Sequence, residues 1–462
     1  MTSITDLVFD DTQEVSKEEQ TKTINDFIQN ELKEFAVYDN SRSIPNVADG
    51  LKTSQRKVIY TTFTLKKDTP IKTSALGAKS SDITHYKHGE ASIIGTVIKL
   101  AQDYAGSNNY PLLLKDGQFG TAQNNISSSP RYIHVSRSEL LEKMFDENDR
   151  EIVNYLKFDG DDIEPDYFLP KLPLIAINGT SGIGNGYSTS ILQRSVSGVK
   201  KYVEQLIKKE ELDKTLLIPA FNGFNGEVEV ITDSSFLLKG RFERINTTTL
   251  VIKDLPPTSS FQYEKYKERV LIPLKVDTKS GISDFENESK DGCWEIIIRH
   301  DRTFGKKTDE EILKALKMTE RVSENITVWG FDNKFKLFDD IYQLVAYWVE
   351  ERTKWHQVRK DHILEKMTIK NSYQEDLLNL IEYWIENPDI TKMKKDELIK
   401  VLKTVAESDD HISKFLDQNI MSLTKERVDK LRKDIEILLK EKKALEKKKI
   451  ATLFLEDISM FE

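Results

Sequence analysis

The chain has 462 residues, with 68 lysines and arginines against 77 aspartates and glutamates for a net charge of −9. That length suits about three domains. No apolar run is long enough to span a bilayer, Met1-Thr2-Ser3-Ile4 lacks the basic-then-apolar order of a secretory signal, and the single Cys293 excludes an intrachain disulfide and a thiolate metal cluster. The expectation is a cytoplasmic protein without a membrane partner.

The periodicity predicts an α+β multidomain chain. Residues 1–40 form an arm, with Ile24, Phe27, Ile28, Leu32 and Phe35 at the spacing of an amphipathic helix over 22 to 38. Ser43-Ile44-Pro45 breaks it and Asp49-Gly50 reads as a turn. Residues 41–169 form the next domain. Gln55 to Phe63 and Ser92 to Tyr104 read as short helices, and Leu112-Leu113-Leu114 as a strand, which fits a helix-turn-helix with an attached wing. Between Lys52 and Glu90, eight basic residues, among them Lys52, Arg56, Lys57 and Lys87, stand against Asp68, Asp82 and Glu90. Affinity for a phosphate backbone follows such a local surplus rather than the acidic total.

Residues 170–335 change character. Leu174-Ile175-Ala176-Ile177, Glu227 to Ile231, Thr249 to Ile252 and Glu295 to Ile298 are β-type runs, and 196 to 210 and 307 to 318 are helical in pattern. Residues 336–450 are helical. Leu344, Trp348, Trp355 and Val358 form one stripe, and Val428, Leu431, Ile435, Leu438 and Leu445 follow a heptad interrupted by Lys442. Two such helices predict an antiparallel coiled coil with a small helical tip between Leu377 and Phe415. Residues 451–462 are left as a C-terminal tail.

Chemistry concentrates in three segments. The first runs from Arg42 through Asp49-Gly50-Leu51-Lys52 to Gln55-Arg56-Lys57-Val58. The second is Tyr86-Lys87-His88-Gly89-Glu90. The third is Gln118-Phe119-Gly120-Thr121 and, after a polar loop, Ser129-Pro130-Arg131-Tyr132-Ile133. A tyrosine oxygen can attack a phosphodiester, and an adjacent guanidinium can steady the pentavalent phosphorus that results. An arginine-tyrosine pair alone is commonplace; the three segments together are specific. Asn178 to Gly186 is glycine-rich but has no lysine after its glycines, so it is not a P-loop. No glycine motif for ATP and no acidic metal-binding motif can be made out.

Together the segments resemble the breakage-reunion part of the type IIA DNA topoisomerases, in the eukaryotic topoisomerase II form more than the gyrase A form, over most of the chain from about Phe27. The layout resembles the medium subunit of T4-like phage topoisomerases, which would put the chain in the host cytoplasm. The resemblance implies a winged-helix domain at 41–169, an α/β tower at 170–335, and a coiled coil ending in a dimerising C-gate. It implies Tyr132 as nucleophile, forming a 5′-phosphotyrosyl link in a double-strand break through which a second duplex passes. Arg131, Arg56 and His88 would complete the catalytic set. Lys52, Lys57, Lys87 and Gln118 would face DNA, and Ile183 would wedge between base pairs.

No metal ligand is expected in this chain. Mg²⁺ and ATP would be held by a separate partner chain, and the protein itself would act on double-stranded DNA as a homodimer. Lys87 stands where eukaryotic members carry a second histidine, and Ala91 where bacterial members carry a serine tied to quinolone binding. Two other classes are a tyrosine-recombinase-like enzyme, which leaves a 3′ link, and a catalytically silent DNA clamp.

Overall fold

A computed structural model describes residues 23–461 apart from 68, 291, 388, 390–392, 407 and 418–423. The chain divides into two compact units, 1–352 with 455–462, and 353–454. No helix among the described residues is long and apolar enough to cross a membrane.

The first unit opens with one continuous helix made of Ile24–Asp26, a π-helical stretch Phe27–Leu32, and Lys33–Ser43. Its apolar residues Ile24, Phe27, Ile28, Leu32 and Phe35 are exposed. Three helices follow, Thr53–Phe63, Thr73–Ile83 and Glu90–Ala101, which bury Val58, Ile59, Leu76, Ile93, Val97 and Leu100 among themselves. Beside them lies an antiparallel three-stranded sheet. His134–Arg137 is its central strand, flanked by Ile71–Lys72 and Leu113–Asp116.

Leu174 to Ile177, read as a strand, is instead the helix Leu174–Asn178. All four apolar residues are buried, and a short apolar run enclosed on every side carries no period to separate helix from strand. It leads into the hairpin Thr180–Ile183 and Ser188–Ile191. Beyond it, a four-stranded antiparallel sheet holds Arg241–Asn246, Thr249–Asp254, Ile296–His300 and Ile282–Asn287 in that spatial order. Leu250, Ile252, Ile296 and Ile298 fill its core with Tyr266 and Phe304. A three-stranded sheet joins Thr319–Ser323, Ser235–Lys239 and Glu227–Thr232.

The helix Ile341–Glu386 begins in this unit. Leu344 and Trp348, read as the start of the coiled-coil stripe, are buried here instead, and the Trp348 indole donates to the Ala48 carbonyl at 3.0 Å. Val358, further along the same stripe, is exposed. The tail is also revised. It forms the helix Ile450–Ser459, in which Ile458 is fully buried, followed by the nearly buried Phe461. Lys200 donates to the Phe461 carbonyl at 2.6 Å, and the Phe461 ring lies 6.0 Å from that of Tyr110.

In the second unit the same long helix runs against Lys425–Lys447. Lys360 donates to the carbonyls of Glu446 and Lys448, and Arg432 pairs with Glu382 at 2.7 Å, so the two helices are antiparallel. Leu377, Leu380 and Ile381 pack with Leu402, Ile412, Phe415, Val428 and Leu431. Two short helices, Lys395–Leu402 and Asp409–Leu416, contribute to this cluster.

Candidate nucleic-acid cleavage site

Tyr132 is 74% exposed on a main chain that is firmly held. Its amide donates to the Ser129 carbonyl at 2.9 Å, closing a turn. The Ile133 carbonyl accepts from both the amide and the hydroxyl of Thr73, and the Pro130 carbonyl accepts from the Ser74 amide. Ile133 itself is buried. Gly117, at φ 108°, lies against it so closely that a Cβ would come within 2.8 Å of the Ile133 side chain. The loop is therefore pinned to the first turn of Thr73–Ile83, while the side chains of Arg131 and Tyr132 stand in solvent. Downstream, His134 pairs with Lys72 and Asp116 across the sheet. Gln118 is exposed, and its carbonyl accepts from the Ser128 amide at 3.0 Å, closing the intervening polar loop.

Arg56 and Lys57 are turned inward. The Arg56 guanidinium donates to both carboxylate oxygens of Asp49 and to the Leu51 carbonyl. Burial opposes its charge, but Asp49, Glu164 and Asp166 together outweigh burial and hold its pKa above the ordinary value. Lys57 pairs with Glu164 at 2.7 Å and donates to the Thr84 carbonyl at 2.7 Å. Burial nonetheless lowers the Lys57 pKa, only partly opposed by Glu164. Both charges are thus satisfied within the fold, and direct phosphate contact by Arg56 requires its pair with Asp49 to open.

His88 precedes Gly89 (φ 84°), which starts the helix Glu90–Ala101. Its Nε2 is 2.5 Å from the Tyr38 hydroxyl, and Tyr86 packs edge-on against its ring. Burial, then Arg42 and Lys57, hold its pKa below the ordinary value. Lys87 is exposed, with its ammonium 5.6 Å from the centre of the Phe158 ring.

Ile183 ends the first strand of the 180–191 hairpin and is 86% exposed. The hairpin is docked tightly. Lys52 donates to the Ser181 carbonyl at 2.6 Å, and Asn40 donates to the Asn185 carbonyl at 3.0 Å. A Cβ on Gly182 would lie 2.0 Å from the Ser43 carbonyl oxygen. Lys52 and Lys99 share the wall of a cavity of about 600 Å³, and burial, then Lys99, lower the Lys52 pKa.

Two groupings result: Lys52 with the Ile183 hairpin, and His88 with Tyr38, Arg42 and Lys57. Among the described residues no hydrogen bond or ion pair joins Arg131 or Tyr132 to Arg56, His88 or Lys52. No cluster of three or more His, Cys, Asp or Glu that could hold a metal ion occurs among the described residues. These side chains alone do not fit Mg²⁺. Tyr38 belongs to no motif, so sequence reasoning misses it; the one signal is its place four residues before Arg42, which puts both on one helix face.

The family model for the A subunit of DNA gyrase/topoisomerase IV matches residues 42–459. DNA topoisomerase 2-alpha of Cricetulus griseus is 29% identical over 488 residues, covering 95% of this chain and 31% of that protein. DNA topoisomerase 2 of Saccharomyces cerevisiae is 33% identical over 366 residues, covering 78% of this chain and 25% of that protein. The chain therefore spans between a quarter and a third of the length of these relatives. A crystal structure of the Plasmodium falciparum topoisomerase II DNA-binding, cleavage and re-ligation domain superposes with a TM-score of 0.85 at 28% identity, covering 94% of this chain and 63% of that one. The chain belongs to the DNA gyrase/topoisomerase IV A-subunit family, the breakage-reunion part of the type IIA topoisomerases.

Proposed function

We propose that this chain is the DNA cleavage and religation part of an ATP-dependent type IIA topoisomerase, with Tyr132 as its nucleophile. The observation that carries the reading is an exposed tyrosine on a loop pinned by Thr73 and Ser74, next to an exposed arginine, in a chain of this family. The phenolic oxygen gives up its proton to solvent as it attacks the scissile phosphorus, the bond to the 3′ oxygen breaks, and that oxygen takes up a proton from solvent and leaves as a hydroxyl, so no net proton is exchanged. The 5′-phosphotyrosyl ester conserves the phosphodiester, so attack by the 3′-hydroxyl reverses the step. Arg131 presents a planar donor fork to the phosphate as charge builds on it.

His88 and Arg56 are assigned to the same catalytic set, Arg56 reaching the phosphate once its pair with Asp49 opens. Lys87 and Gln118 serve the DNA surface, Lys52 does so beside the hairpin it holds, Lys57 joins them once its pair with Glu164 opens, and Ile183 enters the base stack. The three-helix and three-stranded portion is read as a winged-helix domain, the sheets after 170 as the tower, and the second unit as a coiled coil carrying a C-gate. Two copies, each cutting one strand, open a duplex, and two-fold symmetry follows from cutting antiparallel strands with identical chains. A second duplex passes through the break, giving relaxation and decatenation. Mg²⁺ and ATP are assigned to a separate partner chain. The protein would work in the cytoplasm, that of the host if the chain is phage-encoded.

The test uses end-labelled duplex, the metal-binding partner chain and detergent trapping. A covalent adduct at the 5′ side that disappears in Tyr132→Phe is expected. An adduct at the 3′ side, or one that survives the substitution, overturns the assignment. Arg131→Ala should lower adduct formation by about a hundredfold or more while duplex affinity changes only a few-fold. A parallel collapse of affinity makes Arg131 a general anchor instead.

A further inference from the structure

The imidazole of His88 is held by a side chain outside every motif. Tyr38 stands in the middle of Lys33–Ser43, and its hydroxyl lies 2.5 Å from His88 Nε2, with the rings 5.8 Å apart and tilted by 44°. On another side Tyr86 meets the imidazole edge-on at 5.4 Å, and the Tyr86 hydroxyl is itself engaged by Ser92 at 3.0 Å. The charged groups facing His88 are Arg42 from the arm helix and Lys57 from Thr53–Phe63, the latter paired with Glu164.

The polarity of the Tyr38–His88 bond follows from these surroundings. Burial, Arg42 and Lys57 all disfavour an imidazolium, so His88 is neutral near neutral pH. Burial pushes the Tyr38 phenol up, against the opposing pull of Arg42, so it keeps its proton. A protonated phenol facing a neutral imidazole donates to the ring lone pair, and the single ring proton then sits on the other nitrogen. Among the described residues Nδ1 of His88 has no hydrogen-bond partner.

We propose that Tyr38 is the positioning residue for His88: its hydroxyl donates to Nε2, fixes the Nδ1–H form, and makes His88 a hydrogen-bond donor to the DNA phosphate rather than a base. This rests on the reading of His88 as part of the cleavage site. It also makes the arm helix, and not only the three motif-bearing segments, a working part of that site.

The test has two arms. In the full chain labelled with heavy nitrogen at histidine, with His88 assigned by its loss in His88→Gln, the His88 resonances should report the Nδ1–H tautomer at neutral pH. A predominant Nε2–H form overturns the proposal without any variant of Tyr38. In Tyr38→Phe the packing ring remains but the donor is lost. Because that donor stabilises the neutral ring, its loss raises the His88 pKa, read from the pH titration of the same histidine resonances. Adduct formation should fall by about tenfold, the scale of one lost hydrogen bond, with duplex affinity within about twofold of wild type. A His88 pKa that is unchanged or lowered in Tyr38→Phe overturns the proposal. Failure of Tyr132→Phe to abolish the adduct sinks the cleavage reading instead, and leaves the tautomer result to stand alone.

Discussion

Arg56 and Asp49 form a closed pair, with Nε 2.7 Å from Oδ2, Nη2 3.0 Å from Oδ1, and both side chains shielded from solvent. The same carboxylate accepts from the amides of Leu51 and Phe168, each at 3.0 Å. One aspartate thus ties the turn at Gly50, the helix that follows it, and a segment more than a hundred residues away. The Asp49→Ala variant leaves a guanidinium buried without its counter-charge, a change that costs about 3–5 kcal/mol. Urea unfolding should show that loss in the transition of the first unit. A loss below about 1 kcal/mol would mean that the pair is not a structural tie and that Arg56 is available to DNA.

The hairpin bearing Ile183 separates folding from function. Ile183 is 86% exposed, so Ile183→Ala should change stability by less than about 0.5 kcal/mol while reducing duplex bending measured by energy transfer between end labels. Unchanged bending removes the wedge role. Gly182→Ala does the opposite kind of damage. Its Cβ has no room before the Ser43 carbonyl, and relieving the overlap should cost about 1–3 kcal/mol and displace the hairpin from Lys52. A neutral effect in thermal melts would show that the hairpin can move away freely.

Ile458 belongs to a segment that looks like an appendage but is fully buried. Truncation to alanine should cost about 2–5 kcal/mol, the range for a buried aliphatic side chain, read by chemical denaturation. If the cost stays within about 0.5 kcal/mol, the C-terminal helix is not part of the core of the first unit.

Much of this protein is legible in local spacing. The strands at Glu227–Thr232, Thr249–Asp254 and Ile296–His300 and the helix at Thr53–Phe63 lie within a few residues of where their periods put them, because period is a property of neighbours in the chain. The Arg131-Tyr132 pair, the histidine after Lys87 and the glycine-rich run around Ile183 are legible for the same reason, as short contiguous motifs. What distant segments do to a residue is not written in its surroundings along the chain. Leu174–Asn178 is enclosed on all sides, so no period along the chain marks it as a helix. Trp348 belongs to the first unit because its indole reaches Ala48, three hundred residues earlier. Arg56 and Lys57 face inward because Asp49 and Glu164 wait there, and Tyr38 meets His88 across fifty residues. The motifs named the chemistry; long-range pairing of buried charge and apolar surface decided which of their side chains are free to perform it.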